Sequence, residues 1–152
     1  EKWLNMMRDK LGLFGEDMND KILIMEFLTW MHNNKADYTN TFCFLMNEKV
    51  SNMEIYNNKD FLIWKEKWER RLKLNNTSQE KYFKLMLSVN PLVIPRNHKV
   101  EEALTAANDG NLSFMNKLLT FLDKPYSNQS DIIDFQSPAP LNNKKYQTFC
   151  GT

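Results

Sequence analysis

The imidazoles and thiols of this sequence, its strongest candidates for zinc ligands or nucleophiles, are His32, His98, Cys43 and Cys150. They stand singly, far apart along the chain. Zinc sites draw on closely paired ligands, so the pattern predicts no metal and no cofactor bound by this chain. Thiol reactivity needs exposure and a lowered pKa. Cys150 has a position near the end of an aperiodic tail that supplies the exposure, which makes it the candidate reactive thiol. The glycines are Gly12, Gly15, Gly110 and Gly151. None stands in a phosphate-binding loop or a dinucleotide fingerprint. Two adjacent carboxylate pairs, Glu16-Asp17 and Glu101-Glu102, lie at or near helix starts. Acidic residues there complement the helix dipole, so the pairs read as structural and not as acid–base machinery.

Two polar segments are more distinctive. Asp37-Tyr38-Thr39-Asn40-Thr41-Phe42 reads as a helix start capped by Asp37, with Tyr38 and Phe42 turned inward. The competing reading is a polar contact surface. In Arg96-Asn97-His98, Asn97 is placed to cap a helix, while Arg96 and His98 can reach carbonyls or a neighbouring carboxylate. A guanidinium on an extended segment can also hold a carboxylate or phosphate bidentately.

The elements that position these residues are helices. Trp3, Leu4, Met7 and Leu11 recur at helical spacing, and Gly12 is suited to end that helix in a left-handed conformation. Asp17 is expected to cap a helix to about Asn34. The residues Ile22, Leu23, Ile24, Met25, Phe27, Leu28, Trp30 and Met31 make it apolar almost all round, the pattern of a helix surrounded by protein. Residues 53–58 read as a loop or frayed turn. From Lys59 to Leu72, the residues Phe61, Trp64, Trp68 and Leu72 form a stripe at three- and four-residue spacing. Thr77 and Glu80 predict a capping box for a helix through Tyr82, Leu85, Met86 and Val89. Asn90-Pro91 breaks it.

Beyond an extended Pro91–Arg96 segment, a helix from about His98 is expected to bury Val100, Ala103, Leu104 and Ala107. Gly110 ends it, and Asn111 or Ser113 caps a partner through Phe114, Leu118, Phe121 and Leu122, giving an αα-hairpin. Residues 126–152 lack periodicity. A stretch that long is either disordered or a strap on another surface, and Ile132, Ile133, Phe135, Tyr146 and Phe149 favour the strap. The prediction is an all-α, multi-helix domain over 1–125 with a long irregular C-terminal tail over 126–152.

The 152 residues are 42% hydrophobic, 12% aromatic and 26% charged, with a net charge of +1. This is a globular composition, and a chain of this size buries roughly 70% of its unfolded surface. The charge balance argues against a nucleic-acid partner, which would ask for a basic excess. No apolar run approaches the roughly 20 residues of a membrane-spanning helix, so no membrane partner is expected. With two cysteines and no leader-like start, the expected compartment is the cytoplasm. The first residue is Glu1, which fits a piece of a longer chain.

One further pattern is an ordered set. It comprises Ala36 to Phe42, then Asn90-Pro91-Leu92-Val93-Ile94-Pro95-Arg96-Asn97-His98, then Val100-Glu101-Glu102-Ala103-Leu104. Ala107, Asp109-Gly110-Asn111, Leu118-Leu119, Lys124-Pro125-Tyr126 and the terminal Phe149-Cys150-Gly151-Thr152 follow. In that order these segments resemble the C-terminal part of the selenoprotein O family of protein adenylyltransferases. The resemblance implies a kinase-like enzyme that uses ATP and Mg²⁺ to transfer AMP to Ser, Thr or Tyr of protein substrates. Its glycine-containing loop, lysine–glutamate pair and metal-binding aspartates precede the region present here. None is carried over, and this segment alone is expected to be inactive.

The resemblance further implies that the segment buttresses an upstream catalytic domain of the same chain. Asp37, Tyr38, Asn40, Arg96, Asn97 and His98 are then candidate interdomain contacts. The family carries a redox-linked selenocysteine or cysteine near its carboxyl end, which Cys150 matches, although the usual serine-rich surroundings are replaced by Cys-Gly-Thr. The rival reading is a stand-alone helical protein-interaction domain that binds a partner along the Trp64/Trp68 face or through its tail.

Overall fold

A computed structural model describes residues 1–50, 52–129 and 131–139. Every regular element among them is helical, as expected. In chain order these are α1 (Lys2–Lys10), α2 (Asp20–Asn33), α3 (Tyr38–Leu45), a 3₁₀ turn (Met53–Asn57), α4 (Lys59–Lys73), α5 (Gln79–Val89), α6 (Asn97–Asn108), α7 (Ser113–Asp123) and the short α8 (Ile133–Gln136).

α4 is the spine. Phe61, Trp64, Trp68 and Leu72 all point inward. The Trp64 ring stacks on Phe27 of α2 at 4.0 Å and lies parallel to Trp68 at 6.1 Å. Buried indoles need a partner for their N–H. Trp64 Nε1 donates to Leu23 O at 2.9 Å, Trp68 Nε1 to Leu11 O at 2.8 Å and Trp30 Nε1 to Asn58 Oδ1 at 3.0 Å. The tryptophan stripe therefore ties α4 to α1 and α2. At 3% exposure each, Trp64 and Trp68 belong to the core and form no exposed tryptophan face.

α1 ends as its sequence predicts. Gly12 has φ +70°, and Leu13 N donates back to Arg8 O at 2.9 Å. A Cβ on Gly12 would lie 3.1 Å from Met86 Sδ and 3.2 Å from Tyr82 Cβ of α5. Conformation and packing both demand glycine. Gly12→Ala is expected to lower stability by about 1–3 kcal/mol, read as a lower urea midpoint. An unchanged midpoint would show that α5 yields freely there.

Other boundaries move from the expected ones. Asn19, not the predicted Asp17, holds the cap position of α2, and the helix begins at Asp20, whose carboxylate is drawn into the interior and accepts Asp17 N–H at 3.0 Å. Asp17 itself makes a local turn by accepting Asn19 N–H at 2.8 Å. The α5 cap is Ser78, whose Oγ accepts Lys81 N–H, one residue beyond the predicted Thr77. Arg96 takes the cap position of α6, and Asn97 is its first helical residue. Before α7, Leu112 holds the cap position, while Asn111 Oδ1 accepts both the N–H and the hydroxyl of Ser113.

The hairpin of α6 and α7 turns at Gly110, with φ +84°. Ala103, Leu118 and Phe121 are buried between its helices and their surroundings, but Leu104 is half exposed, against expectation. The hairpin is pinned by Leu92 N–H donating to Pro125 O at 2.7 Å. α8 then docks: Phe135 packs on Phe114 and Phe121 at 5.1 and 4.8 Å, and Ile132 is buried beside it. Tyr146, Phe149 and Cys150 lie outside the described residues.

Candidate functional site

Asp37 caps α3 as predicted, accepting Asn40 N–H at 2.9 Å. Its carboxylate also receives a fork from Arg96, Nη1 to Oδ2 at 2.7 Å and Nη2 to Oδ1 at 2.8 Å. The neighbouring carboxylate anticipated for Arg96 is thus 59 residues away in sequence. Arg96 Nη2 reaches Asn40 Oδ1 as well, and Asn40 Nδ2 donates to Gln136 O at 3.0 Å. Gln136 Nε2 in turn donates to Leu92 O at 2.7 Å. One buried network therefore joins α3, the extended connector and α8. Burial would raise the Asp37 carboxyl, but the Arg96 guanidinium and the Asn40 N–H outweigh it and hold the group below its usual range. Two buried atoms of the network, Arg96 Nε and Gln136 Oε1, have no hydrogen-bond partner among the described residues.

Of the six predicted contact residues, the structure brings Asp37, Asn40 and Arg96 into direct contact. Tyr38 stays half exposed, with its hydroxyl 3.7 Å from Met7 Sδ and the Lys10 ammonium 5.6 Å from its ring centre. Asn97 is exposed and His98 partly buried. Burial, and then Lys99, lowers the His98 imidazole from its ordinary value. His32 is exposed in the last turn of α2. Cys43 is inert by environment: burial foremost, with the Glu48 and Asp37 carboxylates, pushes its thiol up to about 12.

A second network was not anticipated from the sequence. Asp20 is fully buried and receives Arg8 Nε at 2.7 Å on one oxygen and Arg71 Nε at 2.7 Å on the other. Arg71 also reaches Asn75 Oδ1, and Asn75 Nδ2 donates to Gly12 O at 2.8 Å. The network knots α1, α2 and α4 together. No short-range motif announces it, because its members are 12 and 51 residues apart.

The third feature is a groove between α2 and α4. The expectation that α2 is surrounded by protein fails on this side, where Ile22 is 58% exposed and Met25 46% exposed. Ile63 of α4 faces the same groove, also half exposed. Across it runs one exposed bridge, Lys67 Nζ to Glu26 Oε2 at 2.8 Å, and Lys21, Asp60, Arg70 and Lys73 stand along its rim. Among the described residues no group of three or more His, Cys, Asp or Glu side chains is placed to hold a metal ion. No helix among them is long and apolar enough to cross a membrane.

Comparison with known proteins gives these networks a context. Residues 1–123 match the family described as protein adenylyltransferase SelO. The chain is similar to the protein nucleotidyltransferase YdiU of Pelagibacter ubique, 58% identical over 151 residues, which is 99% of this chain and 31% of that protein. It is 42% identical over its whole length to the YdiU of Clostridium beijerinckii, again 31% of that protein. The YdiU of Nitrosococcus oceani is 41% identical over the same shares. The chain thus spans 31% of the length of these relatives, and the matched part is a C-terminal region of them. With four-fifths of its length matching the family's pattern, the chain belongs to the protein adenylyltransferase SelO family.

Proposed function

We propose that this chain is the helical, non-catalytic support of a larger protein adenylyltransferase. In that protein an upstream kinase-like domain of the same polypeptide binds ATP and Mg²⁺. It transfers AMP to Ser, Thr or Tyr hydroxyls of protein substrates. The observation that carries this reading is the match to only 31% of relatives whose names state nucleotidyl transfer. The internal networks support it as well, since Asp20 and Asp37 are spent on arginines that hold helices together. In this reading residues 1–125 are the supporting body and 126–152 the strap that runs back across the catalytic part. In the polar contact zone Tyr38, Asn97 and His98 are the accessible edge, held in place from beneath by the Asp37, Asn40 and Arg96 network. Redox control would act at Cys150, and the compartment is the cytoplasm.

The test is AMP transfer from ATP labelled on the α-phosphate to a generic acceptor protein, with Mg²⁺ present. Label is expected from this chain joined to its native upstream sequence and none from the chain alone. No label from the joined protein would overturn the adenylyltransferase reading. Label from the chain alone would overturn the supporting role.

A further inference from the structure

The groove between α2 and α4 is built like a helix–helix seam with one partner absent. Its floor is Leu23, Trp30 and Trp64, and its walls are Ile22, Met25 and Ile63. Two contiguous hollows of about 840 and 600 Å³ share Ile22, Glu26 and Lys67, so the depression runs on past the Glu26–Lys67 bridge. At one end Leu74 is 70% exposed, beside Arg70 and Lys73. An apolar stretch of this extent rimmed by charge marks a surface that something covers.

We infer that the α2–α4 groove is the seat of an amphipathic segment from the upstream part of the same polypeptide, one with an apolar stripe and carboxylates directed at Arg70 and Lys73. This rests on the proposed membership in a larger chain. Three observations favour that occupant. α2 carries apolar residues on the sides that its own domain leaves open, the pattern of a helix enclosed by protein. The relatives extend over more than three times the matched length, so in a chain of that length further segments are tethered to this domain at high effective concentration. A second copy fits poorly, because a two-fold axis would set one concave groove against another and leave the hollows unfilled.

Thiol footprinting tests the seat in the joined, full-length protein, with Cys150→Ser in every variant. Cys43 is buried in the folded chain, and the Cys150→Ser parent labelled in parallel subtracts its signal in urea together with that of any upstream thiol. Met25→Cys and Ile63→Cys are labelled with a maleimide, each rate being compared with that of the same variant unfolded in urea. Asn116→Cys, on the exposed side of α7, is the reference. Docking predicts slowing of roughly 100-fold at positions 25 and 63 against less than roughly tenfold at 116. Equal rates at the three positions would overturn the proposal. Protection that vanishes on dilution would also overturn it, in favour of a second copy. AMP transfer is read on the same preparations. Transfer with reactive thiols at 25 and 63 sinks the seat and leaves the adenylyltransferase reading standing; protection without transfer does the reverse.

Discussion

Asp20→Ala is expected to lower stability by about 3–5 kcal/mol, because it strands two guanidinium groups in a protein interior. Arg8 and Arg71 both lose the carboxylate that meets each of them at 2.7 Å, and both are nearly buried. Arg71 keeps only neutral partners, Asn75 and two carbonyls, while Arg8 keeps Asn5 and a salt bridge to Glu16, whose exposed carboxylate is screened by water and compensates the buried charge weakly. Urea unfolding at pH 7 reads the loss; a midpoint within error of the parent would mean that water already reaches the site.

The same carboxylate sets a pH limb. Burial raises the Asp20 carboxyl, but Arg71, the Asp17 N–H and Arg8 together bring it below its ordinary value. A folded pKa below the unfolded value of about 3.9 gives stability that is present above that value and lost as pH falls through the folded pKa. Asp37 acts in the same direction. Asp20→Asn should therefore flatten the acid limb of stability against pH, and an unaltered limb would assign the acid sensitivity to other groups.

Trp64→Ala carries the other large effect, about 3–5 kcal/mol of stability. Its ring is stacked on Phe27, lies 5.9 Å from Phe61 and is parallel to Trp68, so truncation opens a cavity at the centre of the aromatic run. Trp64→Phe keeps most of the stack and gives up the hydrogen bond to Leu23 O, which should cost about 1 kcal/mol. The near-ultraviolet circular dichroism of the paired indoles should vanish in both. Equal losses of stability in the two variants would place the energy in the hydrogen bond and not in the packing.

These two sites also mark where sequence reading succeeds and where it stops. The stripe Phe61-Trp64-Trp68-Leu72 was legible because helical period is a local property, and every member is buried. The Asp37 cap and the turns at Gly12 and Gly110 were legible for the same reason. The role of Asp20 was not, since its burial, and with it the shift of the helix start beyond the predicted Asp17 cap, depends on arginines from two other helices. Ser78 displaced Thr77 because adjacent hydroxyls compete for one cap, and sequence alone does not separate positions one residue apart. The residue types in the Arg96 cluster were visible, but its partner Gln136 was hidden in a tail without periodicity. The apolar girth of α2 was read correctly as a composition, yet Ile22 and Met25 stay exposed on the side that meets the groove, because composition does not say which sides of a helix its neighbours reach.

Gln136 also has a place in time. Its contacts with Leu92 and Asn40 close loops of 44 and 96 residues. On loop-closure entropy alone the longer one costs about 0.7 kcal/mol more. The Arg96–Asp37 fork, which spans 59 residues, removes most of that difference once formed, because it brings Asn40 to the connector before α8 arrives. The network can therefore zip: connector to α3 first, α8 last. On a ribosome α8 is also the last described helix to emerge, so the order set by chain entropy and the order set by synthesis coincide.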